Sequence, residues 1–324
     1  MTRAGRVGSR LVGDVGGTNT RLALFHPDTR ALTHLQRYKN SAFNALQEVI
    51  EQWLQALPEP APRAACLAVA APPCGDDVAL LNVDWQFSKS ALQAQFAFEQ
   101  LRCINDFEGN AYALPHLRPG DYTALRGAID LAKPQKLATI GPGTGLGGAT
   151  LIHEPLEGAT PVVSASEPGH MGLAPSTSLE YALFQMLQPS GGEVFAERLV
   201  SGPGLLTLYN TLASLQGEQA VLDTPMAVTT AAQAQGDPLA CAALEVFCAL
   251  LGSICGDYVL ATGSYGGLYI AGGIAPQLLS TLRHSQFMAR FSSKGAMQQQ
   301  LDAVPIRVVT TPVQGLIGAA HAPL

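Results

Sequence analysis

Two segments of this chain carry the same alternation of apolar runs and glycine-rich polar turns. Leu11-Val-Gly-Asp-Val-Gly-Gly-Thr-Asn-Thr-Arg-Leu-Ala-Leu-Phe25 sets a polar turn between two apolar runs, and Lys136-Leu-Ala-Thr-Ile-Gly-Pro-Gly-Thr-Gly-Leu-Gly-Gly-Ala-Thr-Leu-Ile152 repeats the plan. Short apolar runs bounded by turn residues read as buried strands. Each segment therefore predicts strand, loop, strand, and the repetition predicts a duplicated element with one half in each of two lobes.

The pattern between and beyond these segments is mixed α/β. Phe43, Leu46, Ile50, Trp53 and Leu57 share one helical face, which predicts a helix from Ser41 to Leu57 with Ser41 as its N-cap. Ala64 to Ala71 reads as a strand, Cys74 to Asp77 as a turn, and Val78 to Phe87 as a return strand carrying Asn82 and Trp85. Ser88 opens another helix, and Leu101 to Ile104 is a short apolar run that ends at Asn105-Asp106. Longer helices follow at Ser178 to Gln188, at Pro203 to Leu215, and from Asp237 and Pro238, an N-cap with proline at N1, to about Ala261. A buried strand, Gly267 to Ala271, ends at Gly272-Gly273 ahead of a helix start at Pro276. Val304 to Thr310 reads as a strand and Gly318 to His321 as helix. Returning these last two to the first lobe gives a small lobe of 11–107 plus 304–324 and a large lobe of 108–303.

The polar turns carry the chemistry. Glycine lets backbone N–H groups approach a polyphosphate, so Gly13, Asp14, Val15, Gly16, Gly17 and Thr18 form one candidate phosphate loop. Gly141, Gly143, Thr144, Gly145 and Gly147 form a second, and Gly272-Gly273 add a third turn to a nucleotide cradle. The Asp14 carboxylate cannot face a phosphate directly, and is expected to act on it through a water-linked Mg²⁺. Gly143, Gly145 and Gly148 also satisfy the dinucleotide fingerprint G-x-G-x-x-G, but that motif must open a helix and here it leads into a strand-like run. No Gly-Lys pair exists for a Walker loop.

Asp106 follows an apolar run and so stands at the carboxyl end of a strand, where open α/β sheets gather ligands. Phosphoryl transfer needs a carboxylate to accept the proton of the attacking hydroxyl, and Asp106 is the candidate; an ordinary turn is the competing reading. Glu167-Pro-Gly-His170 has metal-site spacing only on a helix, which Pro168-Gly169 prevents, so a loop offering an acceptor and a donor to vicinal hydroxyls is the better reading. Glu197, on spacing alone, reads as a routine charge on a short helix, and Asn82 is undecided.

The formal charge of −6, with no basic stripe, argues against a nucleic-acid partner and for small ligands. The basic stretch to Arg10 lacks the apolar core of a signal peptide, and no unbroken apolar run reaches the roughly 18 residues of a membrane span, which predicts a cytoplasmic protein without membrane contact. The six cysteines lack C-x-x-C pairing; Cys241, Cys248 and Cys255 recur every seven residues and predict a buried, reduced stripe.

The motifs, in order, resemble those of the bacterial glucokinases in the hexokinase, heat-shock-protein-70 and actin superfamily. The resemblance rests on Leu11 to Asn19, Leu81-Asn-Val-Asp-Trp85, Ile104-Asn-Asp-Phe107, Gly141 to Gly147, Glu167 to His170, Glu197 to Gly204 and Ile270 to Pro276. It implies an α/β fold of two ribonuclease-H-like, actin-like ATPase lobes with a cleft between them, and ATP- and Mg²⁺-dependent phosphorylation of glucose. It also implies that Asp106 is the general base, that Asn105, Glu167, His170 and Glu197 hold the other hydroxyls, and that Gly272-Gly273 is the adenosine turn. Homodimers are common in that family. One departure stands out: the family's sugar loop usually reads Gly-Glu-Gly-Gly-His, and Ser166 and Pro168 replace its first two glycines. The specificity for glucose over mannose or glucosamine is therefore open, as is a sugar-sensing role with weak catalysis.

Overall fold

The computed structural model describes residues 8–80, 83–156, 159–188 and 192–324, so Asn82 lies outside the described residues. The chain divides into two compact units, one running to Leu117 and resuming at Val313–Leu324, the other spanning Arg118–Pro312.

In the first unit, β1 (Arg10–Val15), β2 (Asn19–His26) and β3 (Ala31–Lys39) form an antiparallel meander. Helix α1 (Leu46–Gln55) leads to β4 (Ala64–Val69), and a ribbon of β5 (Asp77–Ala79) and β6 (Gln86–Ser88) to α2 (Lys89–Gln95), β7 (Gln100–Asn105) and α3 (Asp106–Ala113). The five-stranded sheet has the order β3-β2-β1-β4-β7, with β1, β4 and β7 parallel. The second unit holds β8 (Tyr122–Arg126), β9 (Gln135–Pro142), β10 (Leu146–His153), β11 (Val162–Ser166), β12 (Gly267–Ile270) and β13 (Ile306–Val309) in the order β11-β10-β9-β12-β13-β8. Again three antiparallel strands precede two parallel ones, with β8 as an added antiparallel edge. Helices α4 (Ser178–Leu187), α5 (Gly202–Gln216), α6 (Pro225–Gln233) and α7 (Pro238–Thr262) supply the apolar faces that bury its sheet.

Local signals placed most of these elements. Ser88 accepts from the Ala91 N–H and Asp237 from that of Ala240, as N-caps should. The α7 helix is long and apolar enough to cross a membrane by length and composition, but 83% of its apolar window is buried inside the unit, with Cys248 and Cys255 in the core. All six cysteines are free thiols.

The structure corrects three expectations. The helix predicted from Ser41 begins only at Leu46, because Asn40 is committed to the first glycine loop and leaves a single 3₁₀ turn behind it. Val78 and Phe87 do not share one strand but pair across the β5–β6 ribbon, with the Trp85 N–H bonded to the Val83 carbonyl. Both lobe boundaries also move: β13 belongs to the second sheet, wedged between β12 and β8, and α3 belongs to the first unit. There α3 crosses the C-terminal helix Gln314–His321 so closely that a Cβ on Gly318 would lie 1.7 Å from the Gly109 carbonyl oxygen.

That C-terminal helix ends at His321, which stacks on His116 with ring centroids 3.4 Å apart. Burial, then His116, Arg10 and Arg30, push the His321 imidazole down to about 3 from its ordinary 6.5. A lowered histidine pKa means that the unfolded chain binds the proton first, so this site's stability is whole above about pH 6.5 and falls as pH drops toward 3. His321→Phe is expected to flatten the dependence of Tm on pH between 6.5 and 4; an unchanged slope in calorimetric scans would count against it.

Candidate functional site

In the first unit the loop between β1 and β2 is closed by a residue that sequence reading missed. Asn40, 1% exposed, donates from Nδ2 to the Gly16 carbonyl at 2.7 Å, accepts from Thr20 Oγ1 at 2.9 Å, and bonds the Thr18 carbonyl through its own N–H. Gly17 and Thr18 are left at the tip, with Thr18 exposed. A lone asparagine just past a strand carries little sequence signal, since its side-chain partners lie 20 and 24 residues upstream.

Asp14 pairs with its register neighbour Arg21, Nη1 to Oδ2 2.9 Å. Burial pushes its carboxyl up, and the Arg21 guanidinium pulls in the opposite direction. Room for the carboxylate comes from Gly315, where a Cβ would lie 2.9 Å from Asp14 Cγ. At the same carboxyl edge of the sheet, β7 ends in Asn105, the N-cap of α3. Asn105 Oδ1 accepts from the Phe107 and Glu108 N–H groups, and Glu108 reaches back to the Asn105 N–H, which completes a capping box. Asp106 is thus the first helical residue, with Oδ1 held 2.9 Å from the Phe107 nitrogen. The cap answers the competing turn reading: the Asn-Asp pair is a strand-to-helix junction, held rigid.

The second unit brings most of its predicted residues together. The β9–β10 turn is fastened where Gly143 N–H bonds the Gly145 carbonyl at 2.7 Å and Gly143 O accepts from Gly202 N–H at the start of α5. Thr144 stands exposed at its tip, between Gly141 and Gly147 on the two strands. Pro168–His170 forms one 3₁₀ turn in which Pro168 and Gly169 are buried while Glu167 and His170 face outward. A bridge between Gly172 and Phe195 carries the chain back to Glu197, in the 3₁₀ turn Ala196–Arg198.

Glu197 joins these pieces. Its Oε2 accepts from the Leu146 N–H at 2.8 Å and occupies space that glycine alone leaves open, since a Cβ would meet it at 2.4 Å on Gly145 and 3.0 Å on Gly169. The surface-charge reading of Glu197 is thereby set aside: one carboxylate touches both the β9–β10 turn and the Glu167–His170 turn. Gly272 (φ +85°) lies against the same loop, where a Cβ would meet the Pro142 carbonyl oxygen at 2.6 Å, and Gly273 O accepts from Gln277. The second unit therefore offers a glycine-rich β9–β10 turn, an adjoining glycine turn, and outward acceptor and donor groups beside them. This is a layout suited to binding a nucleotide and a polyhydroxylated partner.

Comparison with known proteins gives the family. The family model described as Glucokinase matches residues 11–323. The curated glucokinase of Chromohalobacter salexigens is 39% identical over 312 residues, and that of Hahella chejuensis 36% over 312, each covering 96% of both chains. Among solved structures, a glucokinase from an Antarctic psychrotroph superposes with TM-score 0.85 at 37% identity, over 97% of this chain and 98% of that one. A ROK family glucokinase from Streptomyces griseus, in complex with glucose and AMPPNP, shares the fold at TM-score 0.63 and 18% identity, over 97% of this chain and 98% of that one. The fold is that of the actin-like ATPases, two lobes each built on the meander-plus-parallel sheet. The chain belongs to the glucokinase family.

Proposed function

We propose that this protein is a cytoplasmic glucokinase that moves the γ-phosphoryl group of Mg·ATP to the 6-hydroxyl of D-glucose. The observation that carries the proposal is the Glu197 carboxylate, which ties a phosphate loop to a turn bearing Glu167 and His170. In the reaction the sugar O6 attacks the γ-phosphorus, the bond to the β-phosphate oxygen breaks, and Asp106 accepts the O6 proton. Glucose 6-phosphate and ADP result. Glu167, His170, Glu197 through Oε1, and Asn105 through its amide N–H₂, hold the remaining hydroxyls. Gly13 to Thr18 and Gly141 to Gly147 cradle phosphates through backbone N–H groups, and Gly272-Gly273 supports the adenosine.

Among the described residues no group of three or more His, Cys, Asp or Glu side chains could hold a metal. A single carboxylate such as Asp14 suits Mg²⁺, which commonly binds through one or two carboxylates plus substrate phosphates and water. Asp14 would hold it through water. Bound there, the ion would neutralise charge on the transferring group.

The test is ADP release over a panel of glucose, mannose and glucosamine, with ATP, ADP or polyphosphate as donor and Mg²⁺ titrated against wild type and Asp14→Ala. Glucose and ATP should give the highest kcat/KM, and Asp14→Ala should raise the Mg²⁺ requirement while leaving nucleotide-free glucose binding unchanged. Preference for another sugar or donor overturns the substrate assignment. Glucose binding without turnover would make the protein a sensor.

A further inference from the structure

The Glu167–His170 turn is anchored from beneath by the long helix α7. Ser166, the last residue of β11, places Oγ 2.6 Å from the hydroxyl of Tyr258 and donates to the Gly148 carbonyl at 3.3 Å. Tyr258 is 2% exposed. Pro168, on the other side of Glu167, packs over β10 at Gly148, where a Cβ would meet Pro168 Cγ at 2.7 Å and Tyr258 Cζ at 3.2 Å. The outward-facing Glu167 is thus bracketed by two residues that both bear on Gly148, one of them hydrogen-bonded to Tyr258. Gly148, one member of the apparent dinucleotide fingerprint, is glycine for this packing.

We propose that Tyr258 is a positioning residue for sugar recognition: through Ser166 it fixes the turn that presents Glu167 and His170, and so sets the affinity for the sugar hydroxyls and the discrimination between epimers. The inference rests on the reading of Glu167 and His170 as sugar ligands. Burial pushes the Tyr258 phenol up to about 12, so it keeps its O–H, and because the Ser166 O–H is given to the Gly148 carbonyl, Tyr258 is the donor to Ser166 Oγ. The relay leaves none of the three groups unpaired, which is the condition for a buried polar contact to hold geometry. Tyr258 touches no reacting atom in this scheme, so its removal should act on sugar binding before the chemical step.

The experiment compares Tyr258→Phe, Ser166→Ala and the double variant with Glu167→Ala and His170→Ala, measuring kcat, the glucose and ATP KM, the glucose-to-mannose ratio of kcat/KM, and Tm. Loss of the Tyr258–Ser166 hydrogen bond should raise the glucose KM by about 2- to 12-fold in Tyr258→Phe, and by at least as much in Ser166→Ala, which also loses the bond to the Gly148 carbonyl. The double variant should be no worse than the weaker single one, because the two side chains share one contact. Turnover at saturation and the ATP KM should stay within about twofold of wild type, and the glucose-to-mannose ratio should fall. If Tyr258→Phe and Ser166→Ala lower Tm but leave the glucose KM and the sugar ratio unchanged while Glu167→Ala raises that KM, the relay is only packing and the inference fails. If Glu167→Ala and His170→Ala leave glucose kinetics intact, the sugar-site reading itself fails and the inference falls with it.

Discussion

Asp106→Asn is expected to lower kcat by roughly 10²- to 10⁴-fold, the usual contribution of a general base, with a much smaller change in the glucose KM. The substitution is nearly isosteric. The amide oxygen can still accept from the Phe107 N–H as Asp106 Oδ1 does, and the Asn105–Glu108 capping box does not involve the replaced group. The α3 terminus should therefore survive, and what disappears is the acceptor for the O6 proton. Single-turnover measurements with saturating Mg·ATP and glucose would isolate the chemical step. A variant turning over within about tenfold of wild type would remove Asp106 from its role, given the two-decade minimum expected of a positioned base.

Glu197→Ala should raise the KM for both substrates, a signature no other proposed sugar ligand shares. The carboxylate serves two sites: Oε2 takes the Leu146 N–H of the phosphate loop, and Oε1 is assigned to the sugar. Truncation leaves the Leu146 donor without its acceptor, at a cost of about 1–3 kcal/mol, equivalent to roughly 5- to 150-fold in an equilibrium constant. It also opens a void beside Gly145 and Gly169, whose missing side chains exist to seat this carboxylate. Glu197→Gln separates the two functions. Its amide oxygen can still accept from Leu146, so the ATP KM should return close to wild type while the glucose KM stays raised. Steady-state kinetics on the two variants decide it: an unchanged ATP KM in Glu197→Ala would deny the carboxylate any hold on the nucleotide loop.

The local features of this chain were legible because each depends on neighbours in sequence. A glycine-rich turn between two apolar runs can hardly form anything but a strand–loop–strand unit, and both copies appear where expected, at 10–26 and 135–153. The helix starts at Ser88 and Asp237 read correctly for the same reason, since each side chain bonds an N–H three residues away. The Asn-Asp pair at 105 and 106 was placed at a strand end, though its capping box was not foreseen.

What escaped the sequence involves partners far apart along the chain. Ser41 looked like a helix cap because periodicity cannot register that its neighbour Asn40 is held by Gly16 and Thr20. The strand at 306–309 looked free to return to the first lobe, because an apolar run is equally content in either sheet; only its pairing with β12 and β8 decides. Glu197 looked like a surface charge until the fold set it 2.8 Å from a nitrogen 51 residues away. The sequence alone thus determined the two glycine loops, the α/β class and the residue types able to do phosphoryl chemistry, since propensity, capping and turn formation are short-range. Tertiary structure alone decided which sheet each late strand joins, which glycine gives way to which side chain, and that Glu197 packs against Gly169 and Tyr258 bonds Ser166, because close packing fixes distances that no local pattern encodes.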